Sequence, residues 1–314
     1  MSIQETIKKY VPEGSAPDIQ NNLVVFEVGN DRLASLCEDM SARHGLPLKT
    51  VVATDERAES GAFKIFYIFG VPEKNVFIAP FIALRSTTEF PSMTGVLPEV
   101  AFYEREIKEF FGLEPVGHPS PRRWLLHGNW PEGMYPLRKD VAWNTRPEEI
   151  QKANEFGELQ GEGVFEIPVG PVHAGIIEPG HFRFGMVGEE IVSFEPRLGY
   201  VHKGVEKLFE ALPLEKTISL SEHVSGDTSF THSLAYCQAL ESLAGIDVPA
   251  RAQCLRVIFS ELERLANHIG DVGLILLGTA FNFGSSQGAR LREQVLQIHE
   301  RLTGSRFLRG VNTI

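Results

Sequence analysis

An α+β fold is predicted: an N-terminal antiparallel sheet with helices, then a β-hairpin-led, mainly helical bundle domain. Three observations predict it. Residues 23–84 hold short runs rich in Val, Ile, Phe and Tyr, broken by turn residues, with one helically spaced run among them. Between residues 112 and 136 regular periodicity gives way to Gly, Pro, Trp, His and Arg. Beyond Lys203 the apolar residues recur at helical spacing.

Taken in order, Leu23 to Val28 reads as a strand. Arg32 to Arg43 reads as a helix, because Leu33, Leu36 and Met40 share one face. Leu48 to Thr54, Ala62 to Phe69 and Asn75 to Leu84 read as strands, with Pro72 and Glu73 in a turn between the last two. Ala101 to Phe111 is helical, with Ile107, Phe110 and Phe111 on one side. The following stretch, Pro115 to Arg123, cannot continue that helix, since Pro115, Pro119 and Pro121 remove backbone donors. A long irregular segment of this kind serves as a binding loop or an extended arm. The chain then divides into residues 1–145, a polar linker at 146–163 and a second domain at 164–314. That domain opens with strands at Val164 to Pro168 and His181 to Val187. A Gly188-Glu189 turn leads to Ile191 to Phe194, which predicts a hairpin. Helices follow at Ser233 to Ala244, Pro249 to Leu277 and Gln287 to Leu302. The middle one has the clearest stripe, Leu255, Ile258, Phe259, Leu262, Leu265, Ile269 and Val272, and Pro249 suits its first turn.

Composition narrows the function classes. The formal charge of -11 argues against general nucleic-acid binding, which needs clustered Lys and Arg. The N-terminus has no apolar core of a secretory signal, and Val272 to Phe281 is too short an apolar run to span a bilayer. A cytosolic protein, or one held at a membrane by partners, is expected. Cys37, Cys237 and Cys254 are far apart in sequence, so neither a disulfide framework nor a CxxC metal site is expected. No phosphate-binding P-loop, dinucleotide GxGxxG after a strand, GxSxG elbow or HExxH is present.

The first domain carries Tyr103-Glu-Arg-Glu-Ile-Lys-Glu-Phe-Phe-Gly112, then Gly117-His-Pro, Arg122-Arg123, Trp130-Pro-Glu-Gly and Tyr135-Pro-Leu-Arg-Lys-Asp140. Singly these are ordinary, and Glu104 and Glu106 read as a solvated helix face. In this order they resemble the 30-kDa subunit family of respiratory complex I. Glu109 matches that family's acidic position only loosely, and Met134-Tyr135 stands where a His or Tyr is usual. The resemblance implies a scaffold without catalytic residues, whose arm drapes on neighbouring subunits. It makes His118, Arg122, Arg123 and Arg138 interface candidates.

The second domain carries Gly170-Pro-Val-His173, Glu178-Pro-Gly-His-Phe-Arg-Phe184, Tyr200-Val-His-Lys-Gly-Val-Glu-Lys-Leu208, Phe230-Thr-His-Ser-Leu-Ala-Tyr236 and the run from Pro249 to His268. This order resembles the complex I 49-kDa subunit and its relatives, the large subunits of membrane-bound group 4 nickel–iron hydrogenases. The wording is closest to the formate hydrogenlyase branch, where both domains also occur fused in one chain. One departure stands out, at Glu222-His-Val-Ser-Gly-Asp-Thr-Ser-Phe-Thr-His-Ser233. The hydrogenase relatives read like D-R-V-C-G-I-C-G-F-A-H-S there, which places Ser225 and Thr228 at their nickel-ligand cysteines. A thiolate is a soft anionic ligand, and an alcohol at neutral pH is neither. The family's second ligand pair lies beyond Ile314, so no nickel site is expected from this chain.

The resemblance implies further candidates. Glu178 and His181 belong to a loop that approaches the metal cavity in the hydrogenase relatives, and both could relay protons if burial raised their pKa. Each equally reads as a turn residue. Asp227 between the lost ligand positions is a candidate proton carrier or a helix cap. His232 matches a family His and equally reads as a satisfied core side chain. Glu263, Arg264 and His268 share a helix, and Arg264 and His268 face one side, which reads as a surface or interhelical ion pair. By analogy with complex I, His173 represents the quinone-binding loop and Gly226 falls at the position of its quinone tyrosine. The second His of that loop has no clear counterpart.

The expected function is a hydrophilic subunit of a complex I-like or energy-converting hydrogenase-related membrane oxidoreductase, at the cytoplasmic face of the inner membrane. No cofactor is expected on this chain alone. An iron–sulfur cluster would sit in a small partner subunit, quinone is a candidate acceptor, and NADH would bind elsewhere. Membrane-arm subunits are further expected partners, and another chain or segment would complete the helical bundle, since the family's core continues past residue 302. A non-catalytic scaffold from a degenerate or truncated paralogue is the alternative.

Overall fold

The alternating strands of the first third of the chain assemble into one mixed sheet. In this computed structural model the described residues are 9–148, 150, 159–173 and 178–313. Strands β1 (Asp18–Gln20), β2 (Leu23–Glu27), β3 (Leu48–Glu56), β4 (Ala62–Val71) and β5 (Val76–Leu84) lie in the order β1-β2-β5-β4-β3. All pairs are antiparallel except β2 with β5, where Leu23 faces Phe77 and Glu27 faces Phe81. Helix α1 (Asn30–Glu38) follows β2 and reverses the chain before β3, so β2 cannot form a hairpin with β3. The sheet is therefore antiparallel with one parallel pair. A short helix, α2 (Arg57–Ser60), joins β3 to β4.

Strand periodicity puts Phe63, Ile65, Tyr67 and Phe69 of β4 on one buried face. They pack with Val24, Phe26, Ile78 and Ile82, with Leu33 and Cys37 of α1, and with Met40. Each such side chain contributes roughly 1.5–3 kcal/mol on full burial. Strand β6 (Glu89–Pro91), helix α3 (Ala101–Phe111) and strand β7 (Glu114–Val116) close this core through Phe90, Met93, Leu97, Ile107, Phe110 and Leu113. The sheet, α1 and α3 match the predicted elements. The short pieces β1, α2, β6 and β7 carry too few residues for a period to show.

A second sheet holds β8 (Val164–Val169), β9 (His181–Val187) and β10 (Glu190–Arg197) in the order β10-β9-β8, antiparallel throughout. The predicted hairpin is β9–β10, with Val187 facing Glu190. Much of this sheet is exposed, including Phe165, Ile167, Ile191, Val192 and Phe194. The predicted linker at 146–163 lies largely outside the described residues. By compactness the chain divides into a unit ending at His202 and one starting at Lys203. That division groups the second sheet with the first unit, whereas the sequence motifs group it with the helices.

The second unit is helical: α4 (Val205–Ala211), α5 (Leu214–Ser221), α6 (Ser229–Ala244), α7 (Ala250–Gly278) and α8 (Asn282–Thr303). Helix α7 begins after Pro249, as its sequence predicts. Helices α7 and α8 approach closely where glycines meet. A Cβ on Gly288 would lie 2.8 Å from the Gly273 Cα, so only glycine fits there. The buried cluster between them is small, comprising Ala266, Val295 and Leu296 with Ile269 against it. Leu255, Val257, Ile258, Leu265, Val272, Ile275 and Leu277 of α7 are exposed. Among the described residues, no helix is long and apolar enough to cross a membrane.

Candidate functional site

Helix α3 organises the irregular segment that follows it. Glu104 is fully buried, against the solvated face its neighbours suggest. Its carboxylate accepts hydrogen bonds from Ser92 Oγ (2.5 Å), the Met93 N–H (2.5 Å) and Thr94 Oγ1 (2.8 Å). Those partners meet the cost of burying a charge. One turn on, buried Glu109 accepts the backbone N–H groups of Trp124, Leu125 (2.8 Å) and Leu126 (3.1 Å). Arg105 donates to the carbonyls of Arg122 and Arg123, both at 2.8 Å. The C-terminal end of α3 is held as firmly. Leu137 N–H donates to the Phe110 carbonyl (3.1 Å) and Arg138 Nε to that of Phe111 (2.6 Å). Gly112 ends the helix at φ 69°, and a Cβ there would overlap the Tyr135 ring, so two conditions select glycine.

The arm motifs thus fold back onto their own helix. His118, an expected interface residue, is buried, accepting from Ser120 N–H at Nδ1 (2.9 Å) while its Nε2 meets the Ala101 carbonyl (3.1 Å). Arg123 donates to the carbonyls of His127 (3.2 Å) and Trp130 (2.9 Å). Arg138 lies 4.3 Å from the centre of the Tyr135 ring. Arg122 alone of the four expected interface residues is largely in solvent, with Nε 3.2 Å from Ser120 Oγ. The carboxylates of Glu104 and Glu109 carry this architecture, and sequence reasoning missed both. One signal was available: Glu104 precedes Ile107 by three and Phe111 by seven residues, which puts it on the apolar face.

A second cluster surrounds the turn at residues 225–228, in the helical unit. Gly226–Thr228 forms a single 3₁₀ turn leading into α6. Glu263 of α7 is buried and caps α6, accepting from Phe230 N–H (2.8 Å), Thr231 N–H (3.0 Å) and Thr231 Oγ1 (2.6 Å). A carboxylate there also complements the positive end of the helix dipole. Asn267 donates to the Asp227 carbonyl (2.9 Å), and Arg292 Nη2 lies 3.8 Å from the largely exposed Asp227 carboxylate. Arg309 Nε is 3.4 Å from Ser229 Oγ. His232 sits half-buried in the first turn of α6. Asp227, His232, Ser225, Gly226 and Thr228 are therefore neighbours along one turn and helix start. Glu263, read from sequence as part of a surface or interhelical ion pair, is a buried cap that reaches across to α6. It stands four residues after Phe259 and three before Ala266, within the apolar stripe.

The remaining candidates lie in the first unit. Glu178 is exposed ahead of β9, and half-buried His181 opens that strand opposite Arg197. The His173 ring stacks on Phe182 at 5.7 Å between centroids, and both ring nitrogens are buried without a hydrogen-bond partner among the described residues.

Nickel–iron chemistry needs thiolates, and the residues present do not fit it. Ser225 and Thr228 offer hydroxyls at the turn. Cys37 is buried in the first unit's core, where burial pushes its thiol up to about 12. Burial also raises the Cys237 thiol, while Cys254 is exposed on α7. Among the described residues no three His, Cys, Asp or Glu side chains are grouped to hold a metal ion.

Residues 26–147 match the family described as respiratory-chain NADH dehydrogenase, 30 Kd subunit. Hydrogenase-4 component G of Escherichia coli (strain K12) is 37% identical over 298 residues, covering 93% of this chain and 54% of that protein. Formate hydrogenlyase subunit 5 of the same organism is 37% identical over 295 residues, covering 90% and 51%. The C/D fusion protein of NADH-quinone oxidoreductase from Phocaeicola vulgatus is 29% identical over 259 residues, covering 77% and 50%. The chain spans about half the length of these relatives.

Proposed function

We infer the function from one premise: residues 26–147 belong to the respiratory-chain NADH dehydrogenase 30 Kd subunit family, and the chain is homologous to hydrogenase subunits and to C/D fusion proteins of NADH-quinone oxidoreductase. On that premise it is a subunit of a complex I-like or hydrogenase-related membrane complex. It works at the cytoplasmic face of the membrane, attached through partner subunits. Electrons reach it from an iron–sulfur cluster held by a small partner subunit, and membrane-arm subunits take up the energy. The first unit supplies the scaffold. A carboxylate, an arginine and two helix-end carbonyls tie the arm segment to α3, which gives partners a rigid surface.

The observation that carries the chemistry is the donor set at residues 225–228. Hydroxyls stand where the hydrogenase relatives are expected to carry sulfur, and that donor chemistry argues against dihydrogen activation on nickel. Quinone is the acceptor this reading favours. His173 presents buried ring nitrogens with no partner among the described residues, suited to a hydrogen bond with a carbonyl oxygen. Asp227 and His232 would hold or pass a proton near the turn, and Glu178 and His181 near the second sheet. A second reading is a scaffold without chemistry. It is favoured by the arm motifs, whose polar groups are engaged in holding the fold, and by the exposed apolar face of α7, which suits burial by another chain or segment.

Affinity purification of the tagged chain from native membranes tests the reading. An iron–sulfur subunit and integral membrane subunits should co-purify, with iron present and nickel absent in elemental analysis. Stoichiometric nickel on this chain, or its recovery without other subunits, would overturn it. Quinone reduction by the complex separates the two readings. His173→Ala should abolish reduction without disturbing assembly if the acceptor binds here, and should change nothing if the chain is a scaffold.

A further inference from the structure

One groove in the first unit reverses the sign of the chain's charge. It is lined by Arg105, Arg122, Arg123 and Arg197, with Glu195 its one carboxylate. The whole chain has a formal charge of -11, so this concentration of guanidinium groups is local. The described hydrogen-bond partners of three of them are neutral. Arg105 and Arg123 donate to main-chain carbonyls, and Arg122 to the Ser120 hydroxyl. Those bonds orient the three groups and do not neutralise them. Burial, reinforced by the neighbouring Arg122, pushes the Arg105 guanidinium below its usual range, against the pull of Glu109. That direction marks a guanidinium partly withdrawn from water.

The groove also has aromatic walls. Phe102 and Trp124 lie 4.8 Å apart between ring centres, and Arg105 lies 5.7 Å from the Phe102 ring. Phe102 is 52% exposed and Phe194 50% exposed, both facing solvent beside the arginines. Exposed aromatic rings beside arginines are the composition of energetic centres in protein interfaces. A guanidinium fork matches a carboxylate in geometry and charge.

We propose that this groove is the docking site for an acidic segment of a partner polypeptide, its carboxylates on the arginines and an apolar side chain against Phe102 and Trp124. The proposal rests on the reading of the chain as a subunit of a larger complex and names the chemistry of one contact within it. The arginine fork and exposed rings favour a peptide over an anionic lipid, which would meet the charges without needing an aromatic wall.

The test uses the full chain in its native complex, with a photo-activatable benzoylphenylalanine in place of Phe102. Irradiation should give one adduct with a different polypeptide, mapped by mass spectrometry to a stretch rich in Asp and Glu. Arg122→Glu should cut the adduct about tenfold, the weight of one reversed contact, while Arg122→Lys keeps most of it. Arg122 is exposed, and among the described residues its side chain bonds only Ser120 Oγ while its carbonyl contact with Arg105 is main-chain, so the fold survives both changes. An adduct with phospholipid, an adduct within this chain, no adduct, or a yield unchanged by Arg122→Glu would overturn the proposal if the other subunits still co-purify. Recovery of the chain without other subunits would instead sink the subunit reading, and the groove proposal with it.

Discussion

The mixed sheet and the α7–α8 pair bury their apolar residues to different degrees. The sheet seals Tyr67, Phe26, Phe69, Phe90 and Phe110 inside a core closed by α1 and α3. The helix pair buries Ala266, Val295 and Leu296 and leaves Val257, Val272 and Ile275 in solvent. The physical cause lies in the surroundings. The sheet face is covered by helices of its own unit, whereas α7 has an apolar stripe wider than α8 can cover. The mixed sheet is thus covered by its own helices, whereas the helix pair presents a face suited to burial in an assembly.

Hydrogen exchange gives the largest test of this contrast. Amides of β4 should exchange about a thousandfold more slowly than those in the exposed part of α7 in the isolated chain, several kcal/mol apart in opening free energy. Equal protection in both would break the comparison. The contrast sharpens if α7 gains protection within the assembled complex.

Next in size is Glu109→Ala. It leaves the N–H groups of Trp124, Leu125 and Leu126 without their acceptor, at a cost of about 3 kcal/mol. Urea denaturation should show that loss, together with new protease cleavage near residue 124. A variant as stable as the parent would mean that the arm holds itself.

Glu263→Ala should cost less, about 2 kcal/mol, because two backbone N–H groups of α6 lose their acceptor where Glu109→Ala strands three. Circular dichroism melts of the isolated chain would register it as lost helix, with the sheet signal retained. A melt unchanged from the parent would mean that α6 does not depend on this cap.

The smallest effect concerns acid stability of the first unit. Burial pushes the Asp55 carboxyl up, but the Arg57 guanidinium and the N–H groups of Lys139 and Arg57 together hold it at about 2. A depressed carboxyl stabilises the fold above its unfolded pKa, about 3.9, and loses that contribution as pH falls through the folded value. Arg57→Gln should therefore be less stable than the parent above about pH 4. The difference should shrink as the pH falls towards 2. A gap that stays constant across that window would assign the effect to packing, since Arg57 also covers the Phe63 ring.

Much of the fold could be read along the chain. Helix α3 spans the predicted residues, and β4, β5, β9 and α7 lie within a few residues of their predicted bounds, because a half-buried element repeats its apolar residues with a fixed period. The β2–β5 pairing was hidden, since strand direction depends on where the intervening chain travels. Helices α4 and α5 were folded into a general helical pattern, being too short for separate signals. At the candidate site, Asp227 and His232 were found by their place in a motif. Glu104, Glu109 and Glu263 were missed because a buried carboxylate and a solvated one are the same letter until its partners are known.

By itself the sequence determined the α+β class, the sites of the main strands and helices, and the hydroxyls at Ser225 and Thr228. These are local properties, set by period, turn residues and side-chain chemistry. Tertiary structure decided the fold-back of the arm, the capping of α6 and the gathering of arginines around Phe102 and Trp124. Each joins groups many residues apart, and such contacts depend on backbone atoms whose positions no local pattern encodes.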